Sequence, residues 1–146
     1  MTNARAPLSG IRVIDLGRHQ AGPRCAQVLA RLGAEVIKIE RLGGEETRYH
    51  GPWVGKQSAY WVQYNSGKKS LGLDLRTARG KEVLQRLVKV SDIVIQNFRP
   101  GTIDVIVAGG DAAVFRAQEG AEDREEDGRA AARALGAGDL LIAVSA

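Results

Sequence analysis

The chain has a single cysteine, Cys25, so no internal disulfide staples it. A structural thiol on an apolar helix face is the expected role, because nothing near it in sequence marks an activating base. No apolar run reaches membrane-spanning length, and MTNARAPLSG lacks an apolar signal segment, which makes no membrane partner and a cytoplasmic location the expectation. No Cys/His spacing suits a metal, and no internal repeat indicates a solenoid. The basic residues form neither a basic helix nor an aromatic stacking platform, so a nucleic-acid partner is not expected.

What remains is the composition of an ordinary globular protein. At 146 residues and 44% hydrophobic content the chain can bury the core of one domain. Its charge is uneven. Residues 1–100 hold 17 Lys and Arg against 8 Asp and Glu, whereas residues 101–146 hold 4 against 9. Scattered cations of this kind suit a phosphorylated small ligand, with a plain solvated basic surface as the alternative.

The stretch GIRVIDLGRHQAGPRCAQVLARLGAEVIKIER, residues 10–41, reads as strand, polar turn, helix and strand. Ile11, Val13, Ile14 and Leu16 make the first apolar run, and Gly17 and Gly22 punctuate the turn. Pro23 suits the first helical position, where its missing N–H costs nothing, and the helix is expected to start near Arg24. Cys25, Val28, Leu29 and Leu32 give its apolar face, and Gly33 its stop. Val36, Ile37 and Ile39 form a second strand, parallel to the first because a helical crossover joins them.

Farther along, Leu42–Gly55 is expected as an exposed glycine-rich loop, and Tyr60–Tyr64 is either a short strand or a helical turn. SLGLDL at 70–75 reads as a strand. Thr77 caps a helix running to Lys89, with Val83, Leu84, Leu87 and Val88 facing the core. Ile93–Ile95 form the next strand and QNFRPG its closing turn. The fold class is α/β, a Rossmann-like open parallel sheet with flanking helices, in which ligands bind beyond the carboxyl ends of the strands.

Three segments carry a family resemblance: residues 10–41, NSGKKSLGLDLRTARGKEVLQRLV and SDIVIQNFRPGTID. Together they resemble the N-terminal region of the class III coenzyme A transferases, the family that includes formyl-CoA:oxalate CoA-transferase. The likeness covers residues 8–104, with residues 105–146 as a diverged or truncated tail. It implies a CoA thioester as substrate, with acyl-CoA and a carboxylic acid as partners and no covalently bound cofactor. It also implies an interlocked homodimer for the full-length family, and an incomplete large domain here.

On individual positions, the resemblance puts Gln20 where transferases of the formyl-CoA type keep an active-site glutamine; related acyl-CoA racemases usually lack it. His19 and Ala21 share that turn, and Arg41, Leu73, Arg76, Asn97 and Phe98 match positions lining the coenzyme A site. The residue types suit those tasks. A carboxamide donates to a carboxylate or thioester oxygen without needing a particular pH, and guanidinium forks match phosphate oxygens. Phe98 either stacks on adenine or fills core. His19 reads as a hydrogen-bonded turn residue, with a pH-sensitive contact as the alternative, and Lys68 and Lys69 as solvated, with phosphate contact as the alternative.

The family's reaction runs through an aspartate nucleophile that forms a mixed anhydride with the acyl group. Asp15, Asp74, Asp92 and Asp104 do not match its position, and Val105 replaces an arginine expected to contact CoA. Residues 117–134 are expected as a solvated helix and 140–144 as a strand, the latter faintly like the family's strand before its glycine loop. The change at 105 is either divergence or an out-of-frame or truncated reading; downstream DNA with no family continuation in any frame removes the second. Three functions compete: part of a CoA-transferase, a non-catalytic CoA- or nucleotide-binding module, and a dinucleotide-binding enzyme domain suggested by Glu40 at the end of the second strand. Against the last, Gly17 and Gly22 do not make the glycine fingerprint that admits a pyrophosphate.

Overall fold

A computed structural model describes residues 6–98 and the backbone of the strand at 140–143. The elements in chain order are β1 (Arg12–Asp15), α1 (Ala21–Arg31), β2 (Glu35–Glu40), a 3-10 turn (Glu46–Tyr49), β3 (Trp53–Val54), β4 (Gln57–Ser58), α2 (Ala59–Asn65), β5 (Lys69–Gly72), α3 (Ala78–Val88), β6 (Ile93–Gln96) and β7 (Leu140–Ala143). β3 and β4 pair as a small antiparallel hairpin. The other five strands form one parallel sheet in the order β5-β2-β1-β6-β7.

That order fixes where a ligand can reach the sheet. The chain moves outward from β1 through β2 to β5, then returns across the sheet to β6 on the other side of β1. Parallel crossovers are right-handed, so reversing direction puts the helices on opposite faces and opens a crevice between the carboxyl ends of β1 and β6. The two cores agree. Val13, Val36, Ile93 and Ile95 pack with Ala26 of α1 on one face, while Ile14, Leu16 and Ile39 pack with Leu84 of α3 on the other.

Helix ends follow local chemistry. Thr77 caps α3 as expected, its Oγ1 accepting from Gly80 N–H at 3.0 Å. Gly33 stops α1 with φ +100°, a conformation that favours glycine. Tyr60–Tyr64 is helical, within α2, and the 70–75 strand is shorter than expected because the chain leaves the sheet after Gly72.

Several expectations are corrected. α1 begins at Ala21, so Pro23 is its third residue, still in the turn whose N–H groups have no intrahelical partner. Of the expected face, Cys25 and Leu29 do pack against the core, but the fully buried side of α1 is Gly22, Pro23, Ala26 and Gln27, while Val28 and Leu32 are 44% and 42% exposed. The reason is a polar anchor: Gln27 Nε2 donates to Gln63 O and Ser66 Oγ, both at 2.8 Å, turning that edge of the helix toward α2. Leu42–Gly55 is not simply an exposed loop, since Glu45 and Thr47 within it are buried. The tail helix expected at 117–134 lies outside the described residues.

Leu84 is fully buried and Val90 is 59% exposed. Urea unfolding is expected to show Leu84→Ala losing about 2–5 kcal/mol and Val90→Ala under about 0.5 kcal/mol.

Candidate functional site

β1 and β2 deliver charge as well as apolar side chains to the carboxyl end of the sheet. Side chains alternate faces along a strand, so Asp15 follows Val13, and Lys38 and Glu40 follow Val36, onto the face covered by α1. Asp15 and Lys38 are register partners, and both are essentially inaccessible. Buried charges must be paired. Here Asp15 accepts from Gly17 N–H at 2.8 Å and from Lys68 Nζ at 2.7 Å, and Lys68 also donates to Pro23 O and Asn65 Oδ1. Lys38 donates to Gly17 O and lies 2.9 Å from Glu45 Oε2, 3.8 Å from Asp15.

Lys68 therefore corrects the expectation of a solvated lysine: its side chain is 1% exposed. Burial pushes its ammonium below the ordinary lysine range, against the opposing pull of Asp15. Lys69, one residue on, is exposed and pairs with Glu35. The thiol of Cys25, half-buried nearby, is raised by burial and then by Asp15, in keeping with a structural role.

Glu40 anchors the other side. Arg48 approaches it with Nε and Nη2, each at 2.6 Å from a carboxylate oxygen, while Ser70 Oγ donates at 2.6 Å and Glu45 N–H at 3.0 Å. Arg48 also stacks 3.8 Å from the Trp61 ring centroid. Burial works against the Glu40 carboxylate, but the bonds from Arg48, Ser70 and the Glu45 backbone prevail and hold it below the usual carboxylate range.

Beside this network lies a cleft of about 560 Å³ at the strand ends. Arg41, Leu73, Arg76 and Phe98, which are scattered in sequence, all line it. Arg41 Nε donates to Gly44 O at 2.6 Å. Arg76 forms a two-pronged pair with Asp74, Nε to Oδ1 and Nη2 to Oδ2 at 2.9 Å each, and these bonds pull the Asp74 carboxyl to about 2. Phe98 is half-buried against the α3-side core and faces the cleft as well.

The remaining nominated residues stand beside the crevice, His19, Gln20 and Ala21 on the turn after β1 and Asn97 just past β6, rather than in the cleft lining. Gln20 is exposed and takes the N-cap position of α1, yet its side chain does not bond the helix. His19 is exposed with φ +61°, its N–H donating to Glu45 Oε1 at 2.8 Å, and Ala21 opens α1. Asn97 acts as a clamp: its Oδ1 accepts from Arg18 N–H at 2.7 Å and its Nδ2 donates to Arg18 O at 3.0 Å, joining the ends of β1 and β6. Gly17 and Gly22 are packed so closely that a Cβ on either would come within 2.9 Å of the other's Cα, so their role is tight contact of turn and helix.

Sequence reasoning missed Lys38, Glu45 and Lys68 as a unit. The signal was present in EVIKIE, since a lysine inside a parallel strand covered on both faces requires a buried partner. Among the described residues, no helix is long and apolar enough to cross a membrane.

Comparison with known proteins gives a consistent result. Residues 8–114 match the family described as CoA-transferase family III. The chain is 47% identical over 100 residues to formyl-CoA:oxalate CoA-transferase of Escherichia coli, covering 67% of this chain and 24% of that protein. A CAIB/BAIF family protein from Brucella suis is similar with TM-score 0.66 and 42% identity, covering 70% of this chain and 29% of the other. A hypothetical protein from Mycobacterium tuberculosis is similar with TM-score 0.67 and 43% identity, covering 75% and 30% respectively. The chain spans about a quarter of the length of the curated relatives it matches.

Two outcomes test the network. Lys68→Met, which strips Asp15 of its nearest cation, is expected to cost about 3–5 kcal/mol in urea unfolding, whereas Lys69→Met costs under about 1 kcal/mol. Glu40 has a depressed folded pKa, so below its ordinary value of about 4.3 the unfolded chain binds more protons. Its contribution is present above about pH 4.3 and lost as pH falls through the folded value. Glu40→Gln should therefore differ most from wild type in unfolding midpoint at pH 7, with the gap narrowing in acid.

Proposed function

The chain belongs to CoA-transferase family III, and on that premise we propose that its strand-end cleft is part of the coenzyme A site of an enzyme moving CoA between an acyl-CoA thioester and a carboxylic acid. The supporting observation is convergence: Arg41, Leu73, Arg76 and Phe98 come from separate segments and share one cleft beside the switch point. Arg41 and Arg76 would hold phosphate oxygens, Arg76 by sharing or releasing Asp74. Phe98 and Leu73 would pack against the adenine end.

In this reading Gln20, at the mouth of the same crevice, directs its carboxamide to the reacting carboxylate or thioester oxygen. His19 and Ala21 contribute the backbone of that turn, and Asn97 fixes it. An aspartate attacks the thioester carbonyl, expelling CoA thiolate and forming a mixed anhydride. The thiolate attacks the aspartyl carbonyl and releases the donor carboxylate, the acceptor carboxylate displaces thiolate from the aspartyl thioester, and the thiolate then takes the new acyl group and frees the aspartate. The described aspartates are poorly suited to that attack. Asp15 is buried against Lys68, Asp74 is held by Arg76, and Asp92 accepts from Arg12 N–H at the opposite end of the sheet. The described residues are thus read as a CoA-binding part of the site. The nucleophile and a homodimeric partner belong to the proposal for the whole enzyme.

Calorimetric titration of the 146-residue chain is expected to show binding of CoA and none of NAD. Arg41→Ala or Arg76→Ala should weaken CoA binding about tenfold, roughly 1.4 kcal/mol. Equal affinity for CoA and NAD, or full affinity in both variants, refutes the assignment.

A further inference from the structure

The turn that carries Gln20 is held from beneath at two backbone groups by a single ion pair. Lys38 Nζ donates to Gly17 O, and Glu45 Oε1 accepts from His19 N–H at 2.8 Å. The two side chains meet at 2.9 Å between Nζ and Oε2, and both residues are at least nineteen-twentieths buried, at 1% and 5% exposure. Glu45 Oε1 takes a further bond from Thr47 Oγ1 at 3.0 Å, whereas Oε2 has the lysine charge and no hydrogen bond.

This arrangement answers a problem of the backbone. His19 has φ +61°, in the left-handed region that a side chain with a Cβ seldom occupies. Such a conformation persists when its surroundings over-determine it. Asn97 holds the backbone of Arg18 just before it, and Glu46 pairs with the Arg18 side chain, but the bond to the N–H of His19 itself is a charge-assisted one from a carboxylate in the loop after β2. Because Gln20 follows directly and its side chain makes no bond to α1, the direction in which its carboxamide leaves the turn is set by the backbone at His19.

We infer that Glu45 is a positioning residue: with Lys38 as its counter-ion, it fixes the His19 backbone and thereby aims Gln20 at the crevice. The aim at a reacting group rests on the functional reading above; the hold on the turn does not. Glu45 also lines the cleft, so the loop that carries Arg41 and the turn that carries Gln20 are joined through one carboxylate.

The test is amide NMR on the full chain, comparing wild type with Glu45→Leu, Glu45→Gln and Thr47→Val. In Glu45→Leu the His19 amide is expected to exchange at least about tenfold faster relative to the Val13 and Ile14 amides of β1, and the Gln20 side-chain NH2 signals to move. Thr47→Val removes another partner of Glu45 but should leave the His19 amide unchanged. Glu45→Gln keeps an acceptor oxygen, so His19 stays protected while its proton resonance moves upfield as a charged acceptor becomes neutral. If Glu45→Leu does not fold, this upfield shift carries the test. An unmoved His19 resonance in Glu45→Gln, a His19 rate in Glu45→Leu that merely tracks Val13 and Ile14, or the same His19 change in Thr47→Val overturns the inference. Failure of wild type to bind CoA would instead remove the functional reading, since the His19 amide reports on the turn with or without ligand.

Discussion

Desolvated charge governs the carboxyl end of this sheet. Asp15 and Lys38 sit side by side on a covered face, and each would cost several kcal/mol if left alone there. Their direct separation of 3.8 Å does not suffice, so the chain must bring partners from elsewhere. The loop after β2 turns back to supply Glu45, and the segment after α2 supplies Lys68. A fully apolar replacement of such a group can be equally stable, so the presence of the network is not by itself a gain in stability, although removing one partner from it is costly. The positions of the Gly17–Gln20 turn and of the loop bearing Arg41 follow from it.

Much of the sheet was legible because its signals are local. Apolar runs of strand length at Val13–Leu16, Val36–Ile39 and Ile93–Ile95, a threonine cap at Thr77 and a glycine stop at Gly33 each have one dominant structural consequence. The failures came where tertiary contacts overrode the local pattern. Val28 and Leu32 have the spacing of a buried face, yet Gln27, tied to α2, takes the buried side instead. Glycine content made residues 42–55 look wholly exposed, although the demand of Lys38 for a carboxylate draws Glu45 inward.

The candidate site divides in the same way. Family likeness pointed to eight positions; the fold gathers four of them, Arg41, Leu73, Arg76 and Phe98, around one cleft and leaves Gln20, His19 and Ala21 on the adjoining turn. Asn97 is different in kind, since both ends of its amide are occupied by the Arg18 backbone. Lys68 could not be distinguished from Lys69 by sequence because the two share charge, neighbours and turn context, and only the reach of one into the sheet's covered face separates them.

The two walls of the cleft differ in how closely they are packed. On one, Gly80 lies against the Asp74 carbonyl with no room for a side chain, and Thr77 Oγ1 also donates to that carbonyl at 2.8 Å, so Asp74, Arg76 and the start of α3 form a single block. On the other, Leu42 is 74% exposed and a side chain at Gly43 would meet nothing within 4 Å. A side chain grown at Gly43 would reach open space at the cleft's edge without displacing Asp74 or the start of α3, which makes that residue a lining position where bulk can be added with little disturbance to the packing.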